Sequence, residues 1–584
     1  MSSQTDLLTS FLNWSKDNGA KINESIEFKT SKDSGISATI IKEIPSDAIS
    51  KPLISVPSKL LITNELALKE FNVSSKNLSS LFNPNALIQL YLCKLKFNAT
   101  TAKSDFFKPY LDILPPNVPH PYFWNKSQLQ LLQGTDTLIK IKQNLQNLIT
   151  EWYELLNVLE ITPIEKEGTA FDVNDIDSIF SYISENVKTT SPKWNSFIAY
   201  LWSFGIFTSR AFPEILINPD NCSNVNQAFL YPIVDLLNHK NGTSVKWTFE
   251  DDQAHFFTNE KNLKKHTELF NNYGDKSNEE LLLGYGFVQS NNAHDDTKLT
   301  LKLDPQLIES MPSFGIVLNK ENTVGTECLQ FTLSSRNPLP RNLLKLFGFL
   351  SKLKSETSLN YRNILEGSDE LSSILDAKIQ FFKRASKIDA STLEPSSNNT
   401  VVIKILKDFF AGQRRIYISS LEELQKFQKT TLKNINENMA FSFKTAFKND
   451  KTFTNSLLLS LGITKYEDLI AKNCLNQALL LWIVRVVNMN SLKRPLDYQI
   501  PSFINEMFHE VNSSIIVNKE DVLEYMDFYK GLFPNLSEKI PEVFAQGNWG
   551  IKQFIIADTV VDRLVWVRKS NNEPIFIDKK RFDL

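Results

Sequence analysis

Two tyrosines, each followed by glycine, stand twelve residues apart in NNYGDKSNEELLLGYGF, residues 271–287. Ser277 with Glu280 three places on is a capping-box pattern, which predicts a short helix through Leu281–Leu283 that stops at Gly284. On this reading Tyr273 and Tyr285 occupy the two adjoining loops. Gly274 and Gly286 let the main chain turn sharply or come close beside each ring. Taken alone, the segment is equally read as two packed tyrosines with satisfied hydroxyls. A second candidate is Arg210 in FTSRAFPE (207–214), directly after the apolar FIAYLWSFGIF. A guanidinium there needs a partner or solvent, so it is either a buried ion pair or a charged anchor lining a substrate channel. The third is PIVDLLNH (232–239), where Asp235, Asn238 and His239 close an apolar run before polar KNGTS. Polar side chains gathered at the end of an element make a candidate site. His239 has no second His, Cys or acidic ligand at metal-binding spacing, and no metal is expected. No GxSxG elbow, phosphate-binding GxxxxGK[ST] loop or GxGxxG turn occurs.

The elements that must position these residues are legible in outline. Leu7, Leu8, Phe11 and Leu12 share a helical face over 6–18, with Gly19 at the C-terminal cap. Two β-branched runs around Asp33-Ser34-Gly35 predict a hairpin over 25–44, and 54–63 a further strand. From about 76 to 194 the texture is helical, as in 87–97 and 138–159, interrupted by proline-rich ILPPNVPHPYFW. Strand and turn texture is expected again over 193–212 and 231–250. Beyond about 305 the chain reads as helical, clearest at 342–350, 421–439 and 476–489, with 389–400 a loop. Residues 551–584 resist assignment.

Bulk properties narrow the class of protein. A length of 584 residues predicts two or three domains. The 64 Lys+Arg balance 66 Asp+Glu, so no global field draws the chain to nucleic acid or anionic lipid. Four cysteines lie far apart without CxxC spacing, which fits a reducing compartment. No signal-like start and no apolar run of about 18 residues is present, so a cytoplasmic protein without a membrane segment is expected.

In their order along the chain, the hairpin at 33–36, SRAF, DLLNH and NNYGDKSNEELLLGYGF resemble SET-domain protein lysine methyltransferases of the Rubisco large-subunit methyltransferase type. That group includes fungal enzymes acting on ribosomal proteins and translation factors. FFKPYLDILPP and the nearby FW (106–124) resemble its insert. The resemblance implies an α+β chain, with a β-rich SET fold split by a helical insert and followed by a mostly α-helical substrate-binding domain. Residues 1–75 and 195–305 would form the SET fold, 76–194 the insert and 306–584 the substrate-binding domain. It implies S-adenosylmethionine as cofactor, bound by Asn238 and His239, with backbone contacts from Gly35 and Ile36. Tyr273 would be the catalytic tyrosine, with its hydroxyl at the transferring methyl. Tyr285 would line the cofactor and lysine channel, and Phe287 its aromatic wall. Ser209, Arg210 and Asp235 match positions that hold the substrate lysine or the cofactor. Relatives often carry two glycines in the first loop, whereas DSGIS has one. The implied activity is lysine N-methylation of a cytoplasmic translation protein, a large-subunit ribosomal protein ahead of elongation factor 1-alpha. A non-catalytic SET-fold binding module is the alternative. Nothing in the chain requires more than a monomer, a nucleic-acid partner or a membrane.

Overall fold

Ser3 opens the first helix, α1 (Gln4–Asp17), by a capping box: Asp6 N donates to its hydroxyl and Ser3 N donates to the Asp6 carboxylate. This computed structural model describes residues 3–31, 35–45, 51–74, 78, 81–98, 101–163, 172, 175–186, 192–220, 224–260, 263–435, 438–492, 496 and 498–582. They form two units, Met1–Asp296 with Lys383–Gln413 and Thr297–Phe382 with Arg414–Leu584.

The first unit continues with four strands, β1 (Lys21–Ile22), β2 (Ile26–Ser31), β3 (Gly35–Ile40) and β4 (Ile54–Pro57). A helical stretch follows: α2 (Asn64–Phe71), α3 (Ala86–Phe97), α4 (Ala102–Ile113), α5 (Lys126–Gln130), α6 (Asp136–Val158), α7 (Ile176–Asn186) and α8 (Phe197–Arg210). Strands then return as β5 (Ala211–Pro213), β6 (Ala228–Leu230), β7 (Val245–Glu250), β8 (Gln253–Thr258) and β9 (Glu268–Leu269), ahead of α9 (Asn278–Tyr285). Three antiparallel sheets result, with orders β1-β4-β8-β7, β2-β3-β9 and β5-β6. In the second of these, Thr39 of β3 lies opposite Glu268 of β9. Strands far apart in sequence thus meet at one edge. The hairpin expected around 33–36 is present as β2 and β3, but Asp33 and Ser34 lie outside the described residues.

Two expectations are corrected here. The 193–212 stretch is mainly helix α8, capped by the Ser196 hydroxyl, which accepts from Ala199 N. Its residues are buried around almost the whole circumference, where it packs on α3, α6 and α9. A helix with no polar face shows no 3.6-residue alternation to read. Likewise α9 does not stop at Gly284 but continues through Tyr285, with Gly286 as its left-handed C-terminal residue at φ 74°. A Cβ on Gly286 would lie 2.7 Å from Pro119 Cγ and 2.9 Å from His120 N, so the proline-rich segment ahead of α5 fixes where the helix ends. Tyr285 therefore sits on the last helical turn, held at a defined angle.

The second unit is mostly helical. Phe443–Asn449, Lys451–Leu461, Leu475–Val487, Ser502–Ser514, Lys519–Lys539 and Ile551–Leu564 supply an aromatic core that includes Trp482, Phe503, Phe533 and Phe554. The unassigned C-terminal stretch is the last of these helices plus two strands, Val565–Arg568 and Glu573–Ile577, which pair with each other, the second also pairing with Ala440–Ser442. Among the described residues no helix is long and apolar enough to cross a membrane.

Candidate active site

The segment after β6 enters the site through a strained turn. Ile233 is fully buried at φ 75° and ψ −55°, a γ-turn conformation that costs about 1–3 kcal/mol for a β-branched residue. It delivers Asp235 to the end of α8, where Arg210 Nη1 donates to the Asp235 carbonyl at 2.9 Å and to Oδ2 at 3.4 Å. Tyr110 of α4 adds a hydroxyl donor to the same Oδ2 at 2.9 Å. Burial pushes the Asp235 carboxyl up while Arg210 pulls it down, and burial is the larger effect. Its second oxygen, Oδ1, is buried without a hydrogen-bond partner among the described residues.

Four residues on, the chain crosses the segment that carries the first tyrosine. Asn271 N donates to Asn238 O at 2.8 Å and Lys240 N to Asn271 O at 3.1 Å, a parallel bridge between His239 and Asn271. This crossing sets His239 against Tyr273: the rings stack at 4.9 Å, and Tyr273 N donates to His239 Nδ1 at 3.0 Å. Because Nδ1 accepts, the imidazole proton is on Nε2, which donates to Asn241 Oδ1 at 2.7 Å. Burial lowers the pKa of His239, in keeping with a neutral ring. Tyr273 also stacks with Tyr285, with centroids 4.8 Å apart, and Phe287 meets Tyr285 edge-on at 6.2 Å. Burial raises both phenols, Tyr285 to about 12 and Tyr273 further, so both are uncharged near neutrality. The Tyr273 hydroxyl donates to Leu237 O at 2.8 Å. Its proton is committed, and toward any ligand it offers lone pairs only.

Two clusters result, and Tyr273, which lines the first, bonds through its hydroxyl to Leu237 O, next in sequence to the Asn238 of the second. One is a cleft of about 660 Å³ lined by Ser209, Arg210, Asp235, Trp247, Tyr273 and Tyr285, among others. The other lies at the β3–β9 edge, where Asn238 Nδ2 donates to Ile36 O at 3.3 Å and to Glu268 Oε1 at 2.7 Å. Gly35, at φ 69°, begins β3 with no atom within 4 Å of where a Cβ would stand. Ser209 lines the cleft, but its hydroxyl bonds back to Gly205 O at 2.7 Å.

A profile for the EFM1 middle domain matches residues 296–435. Over the whole of both chains the sequence is 43% identical to protein-lysine N-methyltransferase EFM1 of Saccharomyces cerevisiae. The chain belongs to the SET-type protein-lysine N-methyltransferases. It is also 30% identical to ribosomal lysine N-methyltransferase 1 of the same yeast, over 83% of this chain and 88% of that one. Among solved structures, Rubisco LSMT bound to AdoMet matches with a TM-score of 0.50 and 18% identity, over 80% of this chain and 99% of that one. The shared fold is the SET α+β fold, and enzymes of this family take their methyl group from S-adenosylmethionine.

Three residues at the methyltransferase site carried no sequence signal of their own. Tyr110 lies in the insert motif FFKPYLDILPP, which points to the family but not to a partner for Asp235. His120 is fully buried and donates from Nε2 to Gly284 O at 2.8 Å, supporting α9 beneath Tyr285, and burial lowers it to about 4. Glu268 meets Asn238 only because β9 pairs with β3.

Proposed function

We propose that this methyltransferase modifies a lysine of a cytoplasmic translation protein, with elongation factor 1-alpha as the first candidate and a large-subunit ribosomal protein as the second. The relative named for ribosomal lysine is 30% identical, whereas the one aligned end to end at 43% is not named for the ribosome. That difference supports an order opposite to the one the sequence suggested. The enzyme acts as a monomer, with residues 1–75 and 195–305 supplying the SET fold, 76–194 the insert and 306–584 the part that grips the substrate protein.

One observation carries the mechanism: Tyr273 lines the cleft while its hydroxyl is tied to Leu237 O, the residue next to Asn238 of the β3–β9 edge. The edge fits the cofactor, because Asn238 presents an amide, Gly35 leaves open space beside the main chain, and His239 is a neutral flat ring. There Asn238, His239, Gly35 and Ile36 hold S-adenosylmethionine, which supplies a methyl group on a positively charged sulfur. The cleft takes the lysine. Its apolar ring faces, Tyr285 with Phe287 behind it, disfavour an ammonium and so favour the neutral amine that can attack. Arg210 and Asp235 mark the polar end of the cleft, with Ser209 beside them. With the cofactor bound, a lysine amine held beside Tyr273 would meet the methyl group in a positioned rather than a bimolecular encounter. With its proton given to Leu237 O, the Tyr273 oxygen accepts from the amine N–H and, more weakly, from the methyl C–H.

The test is transfer of labelled methyl from S-adenosylmethionine into extracts of cells lacking the enzyme, with mass spectrometry of the labelled protein. Tyr273→Phe keeps the stack and removes the hydroxyl, so the rate falls about 10²–10³-fold while cofactor binding persists. Wild-type activity in that variant would overturn the catalytic role. Cofactor and partner binding with no transfer by the wild type would favour the non-catalytic module.

A further inference from the structure

Glu268 belongs to none of the roles described so far, yet it is the closest partner of the Asn238 side chain, at 2.7 Å. A carboxylate can only accept, so the Asn238 group facing it must be the NH₂. The second N–H of that amide goes to Ile36 O. Both donors are thereby consumed inside the β3–β9 edge, and among the described residues Oδ1 has no hydrogen-bond donor, which leaves it to meet a ligand. Glu268 is held in its turn by the β3–β9 pairing, Thr39 opposite Glu268. Its charge also reaches the neighbouring tyrosine, contributing to the raised pKa of Tyr273.

We propose that Glu268 is a positioning residue that sets the polarity of Asn238, turning Oδ1 outward so that the site selects the positively charged α-ammonium of the cofactor's amino-acid tail. This rests on the reading above that Asn238 contacts the cofactor. Without the carboxylate only the longer bond to Ile36 O, at 3.3 Å, distinguishes the two faces of the amide, against 2.7 Å to Glu268. A flipped Asn238 would present NH₂ to an ammonium, which repels it. The consequence is selective, since a nucleoside lacking the amino-acid tail does not sense the amide at all.

The experiment is calorimetric binding to the full-length protein of S-adenosylhomocysteine, which keeps the tail, and of 5′-deoxy-5′-methylthioadenosine, which lacks it. Glu268→Gln preserves shape and supplies an amide that tolerates either orientation. It weakens S-adenosylhomocysteine about tenfold, the scale of one charge-assisted hydrogen bond, and leaves the tail-less nucleoside unchanged. Melting temperature reports whether the variant is folded, and Glu268→Ala gives the same comparison without an isosteric competitor. Equal weakening of both ligands would make Glu268 a structural residue only and overturn the proposal. Unchanged binding of both would overturn it as well. Failure of the wild type to bind S-adenosylhomocysteine would instead sink the underlying cofactor reading.

Discussion

Among the described residues each unit holds one Asp–Arg pair whose carboxylate is buried, and the two are built differently. In the helical unit Asp450 is matched on both oxygens: Arg485 Nε reaches Oδ2 at 2.8 Å, Nη2 reaches Oδ1 at 3.1 Å, and Phe453 N caps Oδ1 at 3.0 Å. Only Arg485 Nη1 is left over. In the SET-containing unit Asp235 takes Tyr110 and a longer contact to Arg210 on one oxygen and, among the described residues, nothing on the other. The first pair also begins the helix Lys451–Leu461, and its work is finished inside the protein. The second is left incomplete, and it lines a cleft. We propose that the same two residue types are structural where every acceptor is used and serve the site where one is kept in reserve.

The largest effect that can break this contrast is on stability. Asp450→Ala strands a buried guanidinium and removes a cap, which lowers the unfolding free energy by about 3–5 kcal/mol in a denaturant titration; a loss below about 1 kcal/mol would put the pair among surface-like bridges and end the comparison. Asp235→Asn should do the reverse. Relief of a buried charge keeps stability within about 1 kcal/mol of the wild type, while kcat/KM for the protein substrate falls roughly tenfold or more as the reserved acceptor loses its charge. Equal damage to folding and turnover would mean that Asp235 is as structural as Asp450. The smallest change sharpens the boundary of the cleft. Ser209→Ala removes a hydroxyl already given to Gly205 O, so steady-state rates stay within about threefold, and a hundredfold loss would show that the hydroxyl turns toward the substrate during catalysis.

How much of this was legible in sequence depended on whether a residue's partner was local. The α9 cap was visible because Ser277 and Glu280 are three residues apart and both hydrogen bonds close within one turn. The type and order of Arg210, Asp235, Asn238-His239, Tyr273 and Tyr285 were visible as motifs. Their stack was not, since the His239–Tyr273 contact depends on the crossing at Asn271. Helix α8 was misread for a related reason: burial on all sides erased the pattern that normally reveals a helix. Tyr110 and Glu268 had no signal because each acquires its meaning from a partner more than one element away. The end of α9 was misplaced by two residues because Gly284 and Gly286 are equivalent in sequence, and only the packing of Pro119 and His120 decides between them.

The crossing at Asn271 also dictates when the enzyme can come into being. Ile36 and Asn238 are 202 positions apart, and the bridge that orients His239 closes only after residue 271 has joined. Contacts of such long range are made late, after their loop-closure entropy has been overcome. A nascent chain emerging N-terminus first therefore carries its opening hairpin for most of the time needed to make the unit without owning a methylation site. A product truncated before residue 271 lacks both Tyr273 and the bridge that sets His239, and is inert however well its helices form.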